Sequence, residues 1–93
     1  MAKVFIGIGS NLSSPIDQVK LALKKIGKNP LWEGVKSSSL YSSKPIGSEN
    51  QPDFCNAVAE LDTFLEPEAL LDELQKMEYE QGRRRVTLSL IHI

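Results

Sequence analysis

The stretch FCNAVAELDTF, Phe54 to Phe64, alternates without a break. Cys55, Ala57, Ala59 and Leu61 fall on one side, and Phe54, Asn56, Val58 and Glu60 on the other. A two-residue period is that of a β-strand with one buried face. Such a strand needs neighbours and cover, and 93 residues supply one small domain at most. A chain of this size buries proportionally little surface, so each core element matters.

The rest of the chain supplies the neighbours. KVFIGIG, Lys3 to Gly9, is β-branched and apolar, which predicts a buried strand. Gly7 and Gly9 remove side chains from it, a sign of close approach by a ligand or another backbone. Ser14 and Pro15 predict a helix start, with a hydroxyl at N-cap, proline at N1 and Asp17 in the first turn. Ile16, Val19, Leu23 and Ile26 form its apolar stripe, Lys20, Lys24 and Lys25 fall mostly off it, and Gly27 is expected to stop it. KNPLWE reads as a connection. GVKSSSLYSS, Gly34 to Ser43, reads as one strand with Val35, Ser37, Ser39 and Tyr41 on one face and Lys36, Ser38, Leu40 and Ser42 on the other. SKPIGSENQPD is a long loop. A second helix is expected from Pro67 at N1, after the weak N-cap Glu66, to a stop at Gly82; Glu68 lies in its first turn and Leu70, Leu71, Leu74 and Met77 form its stripe.

The predicted order is β-α-β-β-α. One more strand completes the α+β, ferredoxin-like β-α-β-β-α-β arrangement: an antiparallel sheet with two helices on one face and the other face free for ligands.

Composition narrows the function. A net charge of −1 gives no global field for nucleic acid or an anionic membrane. The single cysteine, Cys55, excludes an intramolecular disulfide and a cysteine-rich metal site. The apolar run in MAKVFIGIGSN is too short for a signal-peptide core or a membrane span, so a cytoplasmic location is expected. The sole histidine, His92, gives no support to histidine-based catalysis, and no Ser/His/Asp set is present.

Four features rise above the scaffold. GIGSN, Gly7 to Asn11, ends a strand with amides, Ser10 and Asn11 that could meet a polar ligand; it lacks the following Gly-Lys-Ser/Thr of a P-loop, and taken alone a tight turn with a hydrogen-bonding Asn is the simpler account. Phe54 and Asn56 follow a long loop and share a face. A ring that stacks beside an amide that reads a polar edge suits a flat heteroaromatic ligand, although Phe54 as core and Asn56 as a loop-bonding residue fits the spacing as well. Gln75 and Glu78, at i and i+3 on the second helix, could contact a nucleotide, or could be ordinary solvated polarity. Arg83, Arg84 and Arg85 follow that helix. They could complement its dipole or bind phosphate, whose oxygens guanidinium groups pair bidentately.

Together these residues resemble one family, the 6-hydroxymethyl-7,8-dihydropterin pyrophosphokinases of folate biosynthesis. The matching stretches are FIGIGSNLSSPIDQV, SSLYSSKPIGSENQPDFCNAVAELDT and LEPEALLDELQKMEYEQGRRR, covering nearly all of residues 2–86. The resemblance implies transfer of pyrophosphate from ATP to the hydroxymethyl oxygen of the dihydropterin, with two Mg²⁺ ions. It implies a pterin site at Ser43, Pro45, Ile46, Gly47, Phe54 and Asn56, and a nucleotide site at Gln75, Glu78 and Arg85. Arg83 and Arg85 would act catalytically on the transferring phosphates. Phe54 stands where the family often carries tyrosine, which keeps stacking; Ser43-Lys44 stands where it often carries Thr-Pro or Ala-Pro. The implied partners are small molecules, with no nucleic acid or membrane, and the implied state of the intact parent is a monomer. A non-catalytic ferredoxin-like module that binds a pterin or nucleotide is the alternative.

The family's aspartate pair in R-T-L-D-L-D has no counterpart: aligned on Thr87-Leu88, Ser89 and Ile91 take those places, and neither ligates Mg²⁺ as a carboxylate does. No metal ligand is therefore assigned, and the chain itself is expected to lack activity. LSLIHI can be encoded by CTG-TCT-CTT-ATA-CAC-ATC, a string that resembles the transposon end used to fragment DNA for sequencing. The expected layout is residues 1–87 as the N-terminal part of one pyrophosphokinase domain and 88–93 as a non-native tail. The rival is a genuine short form in which alternating TLSLIHI makes an edge strand.

Overall fold

The computed structural model describes residues 1–11, 14–44, 52–82 and 86–91. The elements are β1 (Ala2–Ser10), α1 (Pro15–Lys28), β2 (Trp32–Ser37), β3 (Tyr41–Ser43), β4 (Phe54–Thr63), α2 (Pro67–Gln81) and β5 (Thr87–Ile91). All pair antiparallel in one sheet of order β2-β4-β1-β5, with β3 also on β4. This is the α+β, ferredoxin-like arrangement expected from the pattern.

The two longest strands, β1 and β4, lie side by side at the centre, from Ala2 opposite Thr63 to Ser10 opposite Cys55. Their inward residues alternate as the β4 pattern requires. Ile6 and Ile8 of β1, and Cys55, Ala57, Ala59 and Leu61 of β4, are buried against Val19, Ala22 and Ile26 of α1 and Leu70, Leu74 and Met77 of α2. One core thus lies between the sheet and both helices. The small side chains of Ala57 and Ala59 let the helices approach closely, where dense packing contributes most.

Both helices begin with proline at N1, but Ser14 is not the side-chain cap expected of it. Its backbone is left-handed (φ 62°), and its hydroxyl makes no capping bond. A capping hydroxyl needs an extended backbone to reach the N2 or N3 amide. Helix α1 also runs past Gly27 to Lys28, and the Asn29 amide closes it on the Ile26 carbonyl at 3.3 Å. Asn29 supplies the turn instead, since its Oδ1 accepts from the Leu31 amide at 2.9 Å. Two residues placed on the apolar stripes face solvent: Ile16 is 57% exposed and Leu71 40%. Ala22 and Gln81 sit in the core instead.

The segment Gly34–Ser43 differs most from expectation. It is two strands along one edge of β4, separated by two irregularities. Between Glu33 and Lys36 the register gains one residue. Gly34 takes a positive φ of 65° there, and a Cβ would stand 3.1 Å from Asp62 Oδ2, so the bulge requires glycine. Between Ser37 and Tyr41 a second residue is gained, since Ser37 faces Ala59 and Tyr41 faces Asn56. The Ser38 hydroxyl accepts from the Val58 amide at 2.8 Å, in place of a ladder carbonyl. The second shift puts Tyr41 on the same face as Lys36, which a single alternation would have separated.

Candidate functional site

The uncovered face of the sheet carries the candidate residues. Tyr41, Asn56, Gly9 and Thr87 lie opposite one another across β3, β4, β1 and β5, forming one row. Ser43 pairs with Phe54 beside that row. The Asn56 Nδ2 donates to Ser43 Oγ at 2.7 Å. A methyl group built on Gly9 would stand 3.1 Å from Asn56 Oδ1 and 3.9 Å from a ring carbon of Phe54. Gly9 is thus a floor without a side chain, bordered by an amide and an aromatic ring. That arrangement can hold a flat ligand, with the ring supplying stacking area and the amide directional recognition.

The surroundings tie this end of the sheet together. The Asn11 side chain points its Nδ2 at the Pro52 carbonyl, 3.5 Å away, linking the end of β1 to the segment before β4. Ser10 is buried beneath. At the end of the sheet where β4 begins, Phe54 and Cys55 line an apolar groove of about 570 Å³ with Pro15, Ile16, Leu40 and Tyr41.

The structure brings Ser43, Phe54 and Asn56 together. Pro45, Ile46 and Gly47 lie outside the described residues, as do Arg83 and Arg85. Gln75 is exposed on α2. Glu78 is half-buried, and its Oε1 accepts from the Leu88 amide at 3.2 Å, so it touches β5 rather than standing free. Gln81, only 7% exposed, donates through Nε2 to the Gln18 carbonyl at 2.7 Å and to Gln18 Oε1 at 3.1 Å. Gln81 escaped notice in the sequence. Its signal was a polar residue in phase with Leu70, Leu74 and Met77.

The open face continues with charge. Lys3 Nζ and Glu60 Oε1 are 2.6 Å apart. The hydrogen bond to Glu60, helped by the charges of Glu60 and Asp62, raises the Lys3 ammonium above its ordinary value; the bond from Lys3 holds the Glu60 carboxyl below its own.

Among the described residues, β5 offers no carboxylate to a metal ion. Ser89 lies opposite Gly7 on the open face, and the Ile91 side chain covers Gly7, with Cδ1 3.3 Å from the position of an added methyl. Among the described residues no three His, Cys, Asp or Glu side chains converge. A hydroxyl and an alkyl chain do not make the oxygen-rich, charged set that Mg²⁺ takes, so these residues do not fit a two-magnesium site.

An antiparallel sheet with two helices on one face and a polar row on the other defines the class of ferredoxin-like α+β domains. Residues 5–91 match the family described as 7,8-dihydro-6-hydroxymethylpterin-pyrophosphokinase (HPPK), and the chain belongs to that family. It is 49% identical over 86 residues to the 2-amino-4-hydroxy-6-hydroxymethyldihydropteridine pyrophosphokinase of Haemophilus influenzae, covering 92% of this chain and 54% of that protein. To the Pseudomonas aeruginosa protein of the same name it is 47% identical, covering 89% of this chain and 51% of that one. The folic acid synthesis protein fol1 of Pneumocystis carinii is 43% identical over 89% of this chain and 11% of its own length. The chain spans about half the length of the first two relatives. Among solved structures, a dinuclear metal-binding M20-family peptidase of Bacillus subtilis shares the fold alone, with a TM-score of 0.55 and 13% identity over 96% of this chain and 25% of that one. No helix among the described residues is long and apolar enough to cross a membrane.

Proposed function

We propose that this chain serves the transfer of pyrophosphate from ATP to 6-hydroxymethyl-7,8-dihydropterin in folate synthesis. In that reaction the hydroxymethyl oxygen attacks the β-phosphorus, the bond from the β-phosphorus to the α-phosphate oxygen breaks, and AMP leaves. Such transfer depends on positioning and charge neutralisation more than on a covalent group. The observation that carries the reading is the placement of Asn56 and Phe54 around Gly9 in a chain of this family.

In this reading the pterin lies over Gly9, with Phe54 stacking and the Asn56 amide reading its edge. Ser43, Pro45, Ile46 and Gly47 form the loop side of the pterin site. Gln75, Glu78 and Arg85 face the nucleotide, and Arg83 and Arg85 stabilise charge on the transferring group. Magnesium, which the family reaction uses to neutralise phosphate charge, would need ligands other than Ser89 and Ile91. The 93-residue chain is accordingly a binding and positioning unit that does not turn over. A monomeric state of the intact parent protein and a cytoplasmic location complete the proposal.

Titration of the dihydropterin against wild type and Asn56→Ala tests the site. Loss of roughly 1–3 kcal/mol of binding is expected if the amide reads a buried edge. Equal affinity in both, or none in either, counts against a pterin pocket. Release of AMP from ATP and the dihydropterin by this chain alone would overturn its inactivity.

A further inference from the structure

We infer that Ile91 is a specificity-determining residue: its side chain caps Gly7 beside the Gly9 floor, so that the site favours a flat ring with a neutral substituent over the same ring with an anionic one. The inference rests on the pterin reading above and concerns the end of the ring away from Asn56.

Gly7 and Gly9 both turn a bare backbone to the open face, but they are not equally open. The position of a side chain on Gly9 is bordered by Asn56 and Phe54. The same position on Gly7 is already taken: Ile91 Cδ1 and Cγ1 stand 3.3 Å and 3.6 Å from an added methyl. Ile91 lies opposite Phe5 in the ladder, yet its side chain leans along the strand onto Gly7. Branching at Cβ leaves isoleucine few χ1 rotamers, which holds the cap in place. Val58 lies opposite Gly7 on β4. Gly7 is therefore flanked by Phe5, Val58 and Ile91, and the polar row at Gly9 gives way to an apolar one.

The chemical class follows from what lies across β1. A ring read at one edge by Asn56 on β4 extends its far end toward β5. Neighbouring strands lie about 4.8 Å apart, a step that a two-ring system spans. The β5 residues on the open face are Thr87, Ser89 and Ile91, opposite Gly9, Gly7 and Phe5. They offer two hydroxyls and an alkyl chain, and no residue of β5 carries a charge. A neutral hydroxymethyl group finds hydrogen-bonding partners there. An anionic group finds no counter-charge on this strand and loses water against Ile91, and a charge desolvated without a partner is costly.

Fluorescence titration of 6-hydroxymethylpterin and 6-carboxypterin, which share the ring and differ in the charge of one substituent, reads the preference in wild type, Ile91→Thr, Ile91→Lys and Leu71→Lys. Wild type should bind the alcohol on the order of tenfold or more tightly than the carboxylate. Ile91→Thr, which keeps a branched strand residue, should narrow that ratio several-fold while alcohol affinity holds within about threefold, and Ile91→Lys should erase or invert it. Leu71→Lys adds the same charge at an exposed position of α2 and should leave the ratio unchanged. In the ligand-free protein an NOE should join the Ile91 δ-methyl to the Gly7 α-protons. Equal binding of both pterins by wild type, a ratio in Ile91→Lys no different from that in Leu71→Lys, or absence of the NOE overturns the assignment while ring binding stands. Failure of wild type and variants to bind either pterin overturns the pterin reading, and the preference with it; the NOE separates that failure from a misplaced Ile91.

Discussion

The Glu78 carboxylate, one turn from the end of α2, accepts a hydrogen bond from the Leu88 amide at 3.2 Å. Leu88 lies opposite Ile8 of β1 on β5, an edge strand of the sheet. A helix side chain thereby closes one donor on a strand edge that would otherwise be open to another chain.

Glu78→Leu should cost about 1–2 kcal/mol by losing that acceptor beside a part-buried amide. Glu78→Gln, which keeps a carbonyl oxygen, should cost less. Urea unfolding measures the difference, and hydrogen exchange at Leu88 should accelerate in Glu78→Leu. Unaltered exchange there would show that the bond does not hold the strand.

Gly9→Ala should separate binding from stability. Alanine suits a strand better than glycine by roughly 0.5–1 kcal/mol. Its methyl would stand 3.1 Å from Asn56 Oδ1 and must displace the amide. The melting temperature should hold or rise while dihydropterin affinity drops on the order of tenfold. Unchanged affinity would remove Gly9 from the site.

The Lys3–Glu60 pair sets a pH window. Glu60 titrates lower in the folded protein than unfolded, so its contribution is complete above the ordinary carboxylate value and fades as pH falls through the lowered one. Lys3 titrates higher when folded, so the contribution is complete below the ordinary lysine value and fades as pH rises through the raised one. With side chains 54% and 30% exposed, the pair should be screened by salt. NMR titration of Glu60 should move toward the ordinary carboxylate value in Lys3→Met. A Glu60 titration that ignores Lys3 would contradict the pairing.

Removing residues 88–93 should destabilise the domain and promote association. Leu88 is buried, and β5 covers one edge of β1. Light scattering and urea unfolding of a chain stopped after Thr87 give the readout; a monomer of unchanged stability would make β5 dispensable. The origin of these six residues is a separate matter, which we propose is non-native. The DNA beyond the Thr87 codon decides it, and a genomic LSLIHI followed by a stop would refute that origin.

Residues whose roles depend on local period were legible in the sequence. Cys55, Ala57, Ala59 and Leu61 point inward as alternation demands, and Phe54 and Asn56 point outward together. The misread segment, Gly34 to Ser43, contains two register gains set by the backbone of Gly34 and the hydroxyl of Ser38. Side-chain alternation carries no trace of such events. Ile16 and Leu71 are apolar at the margins of their stripes, where helix geometry alone does not say which side the sheet covers. The nearness of Gly9 to Asn56, and of Glu78 to Leu88, is fixed by pairing between distant segments and became visible only with the register. Alternating LSLI, by contrast, fits an edge position whatever its origin, because the edge asks only for period and a buried Leu88.

Strand β4 divides its labour by parity, with odd positions in the interior and even positions on the open face. Substitution at even numbers can therefore retune what is bound while leaving the interior intact. A single codon inserted near Phe54 would do the opposite. It would carry Asn56 inward and an alanine outward, abolishing recognition and folding in one step.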